Sequence, residues 1–356
     1  IDAVLRRDED PQRAFAEAGQ RLASLLAPLP PRSDPTPWLF VATALLFGLG
    51  WRLLGRFRHR LPGKGPRPLV LASFIGPGLA AMAVLVAVPI VTGFGMSLFA
   101  HGPSGWHFVG LANYTAIGRA DGLGLTHPMS FWFTLVVTVV WTLLNVVAHI
   151  GIGLALALLL HRKGLRLSPI FRVLLILPWA IPNYVTALAW RGLFDEHVGA
   201  INQLLQAGGA DSVAWWDHGL TAFSANLCTN IWLGFPFMMV IALGALSSIP
   251  EPLIEAARID GANAWQRFRF VILPQLMPAM MPAILLGTIW TFNAFNVIYL
   301  VSGGAPAHQT DILVSEAYRW AFEAQGRYGY ASAYSVLIFG LLFVFSKATS
   351  PREQAA

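Results

Sequence analysis

Long apolar runs without charge dominate the sequence and limit what the chain can fold into. Five of them contain no Asp, Glu, Lys or Arg: 69–99, 131–160, 220–246, 277–301 and 328–345. About 20 apolar residues in a helix cross the hydrocarbon core of a bilayer. Two weaker runs, 38–54 and 170–194, carry arginines only near their ends, where long cationic side chains reach the interface. We therefore predict an all-α membrane protein with seven spans.

Composition supports this prediction and excludes other classes. The chain is 56% hydrophobic and only 12% charged, which is too apolar for an ordinary soluble domain. Its net charge of +6 does not indicate nucleic-acid binding, because the basic residues cluster beside the apolar runs, as in cytoplasmic loops of membrane proteins. The single cysteine, Cys228, rules out a disulfide framework and a Cys-based zinc site.

Basic residues also predict the orientation of the spans, because Lys and Arg are retained on the cytoplasmic side of the membrane. A dense basic cluster follows the first span, whereas the stretch 195–219 has no Lys or Arg. We expect the amino terminus outside and the carboxyl terminus inside. The residues predicted to be cytoplasmic are Arg52, Arg56, Arg58, Arg60, Lys64, Arg67, Arg162, Lys163, Arg166, Arg258, Arg267, Arg269, Lys347 and Arg352.

The predicted spans contain almost no ionisable side chains. His149 is the one such residue deep in a span, and we expect it to be a hydrogen-bonded structural residue. Proton coupling within this chain is therefore not expected. Prolines at 77, 89, 178, 182 and 236 predict kinked or broken helices, which either are simply tolerated or line a substrate path. No phosphate-binding loop, metalloprotease motif or hydrolase motif is found in the sequence, and no catalytic or metal site is predicted.

The loop 248–274 is predicted to form two short cytoplasmic helices. Ser248 followed by Glu251 matches a capping box, and Gly261 is placed to end the first helix in a left-handed conformation. Asn263 with Gln266 would cap the second helix, which Pro274 would close. Such a unit suits docking in a groove of another protein, or it serves as an amphipathic connector on the membrane surface.

Here the sequence resembles a known family. Glu255-Ala256-Ala257, Gly261 and the run Val271-Ile272-Leu273-Pro274 resemble the EAA loop of permease subunits of binding-protein-dependent ABC importers. The resemblance covers about residues 68–350 and is strongest with the first permease subunit of maltose-type transporters, in the carbohydrate-uptake branch. Its further motifs are Phe108-Val109-Gly110-Leu111-Ala112-Asn113-Tyr114, Pro178-Trp179-Ala180-Ile181-Pro182, the run 232–239, the run 295–300 and Ser302-Gly303-Gly304.

The resemblance implies a bacterial inner-membrane transport subunit and not an enzyme. It implies a six-helix permease core with one extra amino-terminal transmembrane helix, paired with a second permease. An ATPase dimer on the cytoplasmic face would bind ATP and Mg, and this chain itself would bind no cofactor. A periplasmic or fused sugar-binding protein would deliver the substrate. The residues expected to dock the ATPase are Glu255, Ala256, Ala257, Asp260 and Gly261.

The resemblance also assigns a substrate site for maltose- or maltodextrin-like sugars. Aromatic rings would stack on the sugar while amides and hydroxyls pair with its hydroxyl groups. Trp290, Thr291 and Ala294 depart from the maltose-type pattern, so another solute, such as a polyol or glycerol phosphate, is the alternative. An ion-coupled carrier is a further alternative, which the lack of charged residues in the spans disfavours. The predicted contacts are Leu233, Gly234, Phe237, Trp290, Thr291, Asn293 and Asn296.

Residues ahead of the permease resemblance form separate segments. Residues 1–27 contain a helical pattern that resembles the last helix of a sugar-binding protein, and one hypothesis is that such a domain is fused upstream. The alternative is a short amphipathic helix. A Pro-rich linker covers 28–37, the extra transmembrane helix 38–54, a basic cytoplasmic linker 55–68 and the permease domain 69–350.

Overall fold

The computed structural model describes residues 30–58, 74, 76–78, 81–102, 105–120, 124–162, 164–324 and 326–349. The predicted segment 1–27 and most of the basic linker 55–68 lie outside these residues. The described chain is mainly helical, as predicted. It divides into two compact units, one drawn from Ile1–Leu125 and Ala317–Gly340 and the other from Thr126–Glu316 and Leu341–Ala356.

The elements are named here in chain order. Helix α1 is Thr36–Arg58, a π-helical turn Ala83–Ala87 leads into α2 (Val88–Met96), and strands β1 (Phe99–Gly102) and β2 (Gly105–Phe108) precede α3 (Ala112–Gly118). The next helices are α4 (Phe131–Leu160), α5 (Ser168–Ala180), α6 (Asn183–Leu193), α7 (Ala200–Ala207), α8 (Gly219–Ser247) and α9 (Glu251–Ile259). Then come α10 (Ala264–Arg267), a π-helical turn Phe268–Ile272, α11 (Leu273–Phe292), α12 (Phe295–Val297), a π-helical turn Ile298–Ser302, α13 (Leu313–Phe322) and α14 (Tyr328–Thr349).

Within the described residues, four helices are long and apolar enough to cross a membrane: Phe131–Leu160, Gly219–Ser247, Ala264–Phe292 and Tyr328–Thr349. The bent pair α5 and α6 adds a fifth if it is counted as one span. The stretches Thr36–Leu45 and Val84–Met96 are shorter apolar helices. A multi-pass membrane protein is therefore supported, while the count of seven spans and their orientation stay predictions.

Three of the predicted spans differ from the structure in detail. The span 69–99 does not continue as helix to its end, because Phe99 begins β1, which pairs antiparallel with β2. The span 170–194 is two helices bent by 93° at Ile181 and Pro182. Pro182 is the N-cap of α6, which agrees with the prediction that prolines break a span. The span 277–301 belongs to a helix that begins earlier and ends at Phe292.

The β-hairpin organises the first unit. Arg32 forms an isolated bridge with His107, and the Ser33 amide donates to the Trp106 carbonyl at 2.8 Å. The Asn113 side-chain Nδ2 donates to the backbone carbonyls of Ser97 and Phe99, at 2.8 and 2.9 Å. The chain just before α1 is thus fixed to the edge of β2, and the hairpin is fixed to α3.

In the second unit, α4 and α8 cross closely. A Cβ on Gly153 would lie 2.8 Å from both the Met238 Cβ and the Met239 amide nitrogen, so only glycine permits this approach. One buried apolar cluster fills the crossing and includes Ala157, Met239 and Met280. A second cluster surrounds Trp141 and Ile298. Together they fix the relative positions of α4, α8 and α11, which carry most of the site described next.

Candidate functional site: a cavity in the second unit and an exposed loop

A cavity of about 670 Å³ lies within the second unit. Volumes of about 300 to 1,000 Å³ are typical of small-molecule sites. All seven residues predicted to contact a sugar line this one cavity: Leu233, Gly234, Phe237, Trp290, Thr291, Asn293 and Asn296. The structure therefore brings the predicted set together, from α8 and from the end of α11 through α12.

Three aromatic rings from three helices follow one another along the cavity wall. The ring centroids of Trp179 and Phe237 are 5.9 Å apart, and those of Phe237 and Trp290 are 5.4 Å apart. Trp179 and Trp290 are each 51% exposed, so neither side chain is fully covered by the rest of the chain. Flat apolar rings of this kind suit the apolar faces of a sugar ring.

The polar groups of the cavity are mainly amides. The Asn296 Nδ2 donates to the Asn183 Oδ1 at 3.1 Å, and the Asn293 Nδ2 donates to the Ile289 carbonyl of its own helix at 2.9 Å. Thr291 is 5% exposed, and its carbonyl accepts from the Trp141 Nε1 at 2.9 Å. Thr291 is therefore mostly buried in the cavity wall, whereas the hydrogen-bonded amides of Asn183 and Asn296 lie at the surface of the cavity.

Gly234 has a structural reason to be glycine. A Cβ at this position would overlap the imidazole ring of His149. His149 lies on α4, is 4% exposed and also lines the cavity. Its Nε2 is 2.9 Å from the Asn230 carbonyl, which can only accept, so the Nε2 carries the proton. His149 is therefore hydrogen-bonded and structural, as the sequence predicts.

A buried amide network continues from this point. The Asn230 Nδ2 donates to the Asn145 Oδ1 at 2.9 Å, and the Asn145 Nδ2 donates to the Trp141 carbonyl at 2.9 Å. Buried polar side chains in a membrane protein are favourable when they bond to one another in this way. The network joins α4 to α8 directly behind the cavity.

Among the lining residues that were not predicted as site residues, four carry side-chain nitrogen atoms: His149, Trp179, Asn183 and Asn230. Asn230 was within reach of sequence reasoning, because 230, 233, 234 and 237 share one helical face. Trp179 and Asn183 were not, because the 93° bend that directs them to the cavity is a tertiary feature. None of the described residues lining the cavity is Asp, Glu, Lys or Arg.

The second candidate site is the loop carrying the predicted ATPase contacts. Glu255, Ala256, Asp260 and Gly261 are exposed, and Ala257 is half-buried. Gly261 has a φ of +83°, and its amide donates to the Arg258 carbonyl at 3.1 Å while the Ala262 amide donates to the Ala257 carbonyl at 3.0 Å. This is a Schellman turn, which ends α9 where the sequence predicts.

The second helix of the loop begins with the predicted capping box. The Asn263 Oδ1 accepts from the Gln266 amide at 2.9 Å, and the Gln266 Oε1 accepts from the Asn263 amide at 2.8 Å. Two other expectations are wrong. The N-cap of α9 is Pro250 and not Ser248, whose hydroxyl donates to the Ala245 carbonyl instead. Pro274 does not close the second helix, because it fits the first turn of α11, which continues the helix to Phe292.

The loop also exposes large apolar side chains. Ile259 is 86% exposed and Trp265 is 66% exposed. Exposed apolar groups on a rigid turn indicate a surface that another molecule covers. The arrangement agrees with the docking interpretation of the sequence, although a membrane-surface connector would also present such groups.

One group of potential metal ligands lies outside both sites, within the part of the chain that is described. Donor atoms of His308, Asp311 and Glu316 lie within 4.8 Å of one another. The His308 Nδ1 is 2.9 Å from the Asp311 Oδ2, and the Ser315 hydroxyl donates to the Asp311 Oδ1 at 2.8 Å. These bonds organise the turn before α13. That the chain holds no metal stays a prediction.

Comparison with known proteins identifies the family. Residues 149–349, more than half of the chain, match the model of the binding-protein-dependent transport system inner membrane component. The chain belongs to this family, which confirms the identification made from the EAA motif. Membership also confirms that the chain is a membrane transport subunit and not an enzyme.

Individual relatives include sugar-transport permeases. The chain is 36% identical over 286 residues to the galactooligosaccharides transport system permease protein GanP of Bacillus subtilis, covering 77% of this chain and 67% of GanP. It is 36% identical over 243 residues to the maltose/maltodextrin transport system permease protein MalF of Escherichia coli, covering 65% of this chain and 46% of MalF. MalF of Klebsiella aerogenes gives 36% over 244 residues, covering 66% of this chain and 47% of MalF. The chain thus spans about half the length of these MalF relatives.

Solved structures share the fold. A bacterial ABC transporter involved in the import of the acidic polysaccharide alginate superimposes with a TM-score of 0.69 at 19% identity, covering 80% of this chain and 96% of the other. A second structure of the alginate transporter, in complex with an alginate pentasaccharide-bound periplasmic protein, gives a TM-score of 0.65 at 18% identity, covering 79% and 92%. These similarities establish the ABC importer permease fold.

Proposed function

We propose that the chain is a permease subunit of an ATP-driven importer for neutral oligosaccharides of the maltodextrin or galactooligosaccharide kind. One observation carries the proposal: a 670 Å³ cavity gathers four Trp and Phe side chains and several amides but has no Asp, Glu, Lys or Arg among its described lining residues. Aromatic faces with amides match a polyhydroxylated, uncharged ligand. A glycerol phosphate would call for a cationic partner, and a coupling ion for a carboxylate.

The proposal includes the assembly that the family resemblance implies. A second permease would pair with this chain in the bacterial inner membrane, and a periplasmic or fused sugar-binding protein would deliver the sugar from outside. An ATPase dimer, which binds ATP and Mg, would dock on the loop at Glu255, Ala256, Ala257, Asp260 and Gly261. The proposed topology is seven spans with the amino terminus outside and the carboxyl terminus inside.

In this mechanism the chain supplies binding and coupling, while its partner carries out hydrolysis. The Schellman turn at Gly261 fixes the angle between α9 and α10 and exposes Glu255 on the first of them. Movement of a docked ATPase would therefore displace the turn as a unit. The helix that starts at Ala264 continues to Phe292, next to the cavity, so the displacement reaches Trp290.

The test is ATPase activity of the complete complex in proteoliposomes, with its second permease, ATPase and binding protein. The probes are maltose, maltotriose and β-1,4-galactobiose, with sorbitol and glycerol 3-phosphate as competing classes. We expect saccharide-stimulated hydrolysis that is lost in Gly261→Pro, because proline cannot adopt the positive φ or donate to Arg258. Gly244→Ala, at a helical glycine with open space around its Cβ position, is the matched control and should keep the stimulation.

Two results would contradict the proposal. Stimulation by glycerol 3-phosphate or sorbitol but by none of the saccharides would keep the importer and reject the substrate class. Full saccharide stimulation in Gly261→Pro would reject the coupling role of the loop.

A further inference from the structure

The bend between α5 and α6 brings two side chains to the cavity that belong to neither of the helices predicted to bind substrate. Trp179 precedes the bend and Asn183 follows it, and both line the cavity. Pro178 lies inside α5 and Pro182 is the N-cap of α6. Because proline fixes its own φ and lacks an amide donor, these two positions define the bend and hence the placement of Trp179 and Asn183.

Trp179 extends the aromatic wall beyond the predicted residues. Its ring centroid is 5.9 Å from that of Phe237, with an angle of 37° between the ring planes. Phe237 in turn is 5.4 Å from Trp290. Phe237 is therefore the middle of three successive rings, and a ligand longer than one sugar ring would find a second aromatic face at Trp179.

Asn183 supplies polar groups at the same place. Its Oδ1 accepts from the Asn296 Nδ2 at 3.1 Å, which fixes both amides relative to one another. The pair still offers the Asn183 Nδ2 as a donor and the Asn296 Oδ1 as an acceptor. A donor beside an acceptor matches two neighbouring hydroxyl groups of a sugar, each of which can donate and accept.

We propose that the bend forms a third wall of the substrate site, in which Trp179 stacks on a sugar ring and Asn183, oriented by Asn296, binds sugar hydroxyls. The inference rests on the proposed function, since it assigns further specificity-determining residues to the same cavity. It follows that α5 and α6 select the substrate together with α8 and α11.

The test compares uptake of maltose with uptake of a panel of monodeoxy maltoses in proteoliposomes holding the complete complex. For each sugar, the uptake rate of a variant is divided by the uptake rate of wild type. The preference of the binding protein for one sugar over another therefore cancels. We expect Asn183→Leu to lower maltose uptake by about two- to tenfold, the range for one lost hydrogen bond. For the one deoxy analogue that lacks the contacted hydroxyl, the same substitution should change uptake much less.

A second pair of variants tests the stacking contact. Trp179→Ala should lower uptake of maltotriose more than uptake of maltose, while Trp179→Phe, which keeps an aromatic face, should restore most of the difference. Tyr184→Phe is the matched control, because Tyr184 neighbours Asn183 on α6 and does not line the cavity. It should leave the ratios between sugars unchanged.

Several results would overturn the inference. Equal losses in Asn183→Leu for maltose and for every deoxy analogue would show a structural role alone. If Asn183→Leu fails to assemble, Asn183→Ser serves in its place, and unchanged ratios between the sugars there would also reject the inference. Wild-type complex that takes up none of the saccharides would overturn the proposed function and this inference together, whereas wild-type uptake with unaltered ratios rejects only the inference.

Discussion

His149 and Gly234 are packed so closely that the imidazole ring occupies the space of a Cβ on the glycine. The contact lies between α4 and α8, at the edge of the cavity, and the His149 Nε2 also holds the Asn230 carbonyl one turn earlier on α8. Steric fit and a hydrogen bond therefore act on the same pair of helices. This places a structural constraint directly behind the residues predicted to contact substrate.

Gly234→Ala should destabilise the protein by about 1 to 3 kcal/mol, the usual cost of overpacking a well-filled interior. The measurement is thermal unfolding of the purified protein in detergent. Gly287→Ala is the matched control, because its Cβ would meet only the flexible Met238 Cε, at 2.7 Å. Gly287→Ala should lower the stability clearly less than Gly234→Ala does. Equal melting temperatures for wild type and Gly234→Ala would contradict the packing described.

The bond between Asn145 and Asn230 should be measurable as a coupling energy. A double-mutant cycle with Asn145→Ala and Asn230→Ala should give about 0.6 to 2 kcal/mol, the range for hydrogen bonds between membrane helices. Unfolding of wild type, both single variants and the double variant in the same detergent supplies the four values. A coupling near zero would show that the 2.9 Å contact does not contribute to stability.

Substitutions of Gly261 should show whether coupling depends on the backbone conformation at this position or on the side chain that it carries. Its φ of +83° disfavours Ala by about 1 to 2 kcal/mol but is better tolerated by Asn. We expect saccharide-stimulated ATPase activity in the order glycine, then Asn, then Ala, with assembly of the complex unchanged. A Cβ at this position meets no other atom of this chain, so a clash within the chain does not explain a loss. Ala activity equal to glycine would reject the conformational requirement.

The turn after α6 should depend on pH through Asp195. Its Oδ1 accepts from the amides of His197 and Val198, at 2.9 and 3.0 Å, and the Val198 bond followed by the His197 bond lowers the pKa of this carboxyl. Because the folded pKa lies below the unfolded value of about 3.9, the stabilisation is complete above that pH and is lost as pH falls through the folded pKa.

The measurement is hydrogen exchange of the peptide containing residues 195–199 across a series of pH values, corrected for intrinsic exchange. Wild type should keep its protection until the pH falls below the ordinary range of an Asp. Asp195→Asn should show weaker protection and little dependence on pH in the same range. Identical profiles for the two proteins would show that the carboxylate does not hold the turn.

The family resemblance predicted the contacts on α8, and helical spacing, a local property, explains why the fold brings them together. Leu233, Gly234 and Phe237 share one face of α8, so any fold that buries this face places them together. Gly261 and Asn263 were predicted correctly for the same reason, since turns and caps depend on a few neighbouring residues. The contacts from Trp290 to Asn296, on the second span, were likewise assigned by the family resemblance.

What could not be predicted depends on contacts between distant segments. The direction of the bend at Pro182 decides whether Trp179 and Asn183 reach the cavity, and prolines alone do not specify a direction. The hairpin was not predicted, because hydropathy assigned Phe99 to the end of a long apolar run. Gly102 and Gly105, which flank a turn signal, were the local indication of a hairpin. At Ser248 the local pattern competed with a bond from its hydroxyl back to the Ala245 carbonyl.

The helical segment from Ala264 to Phe292, in which a π-helical turn connects α10 to α11, joins the two candidate sites. Its 29 residues correspond to about 40 Å at 1.5 Å per residue. The capping box at Asn263 fixes one end, and Asn293 ends the other beside the cavity. Under the proposed docking of an ATPase on the loop, a displacement of the exposed end would be carried along this helical segment to Trp290. The buried packing around Met280 lies between the two ends, so under the proposed coupling the side chains there would determine how far the cavity end moves.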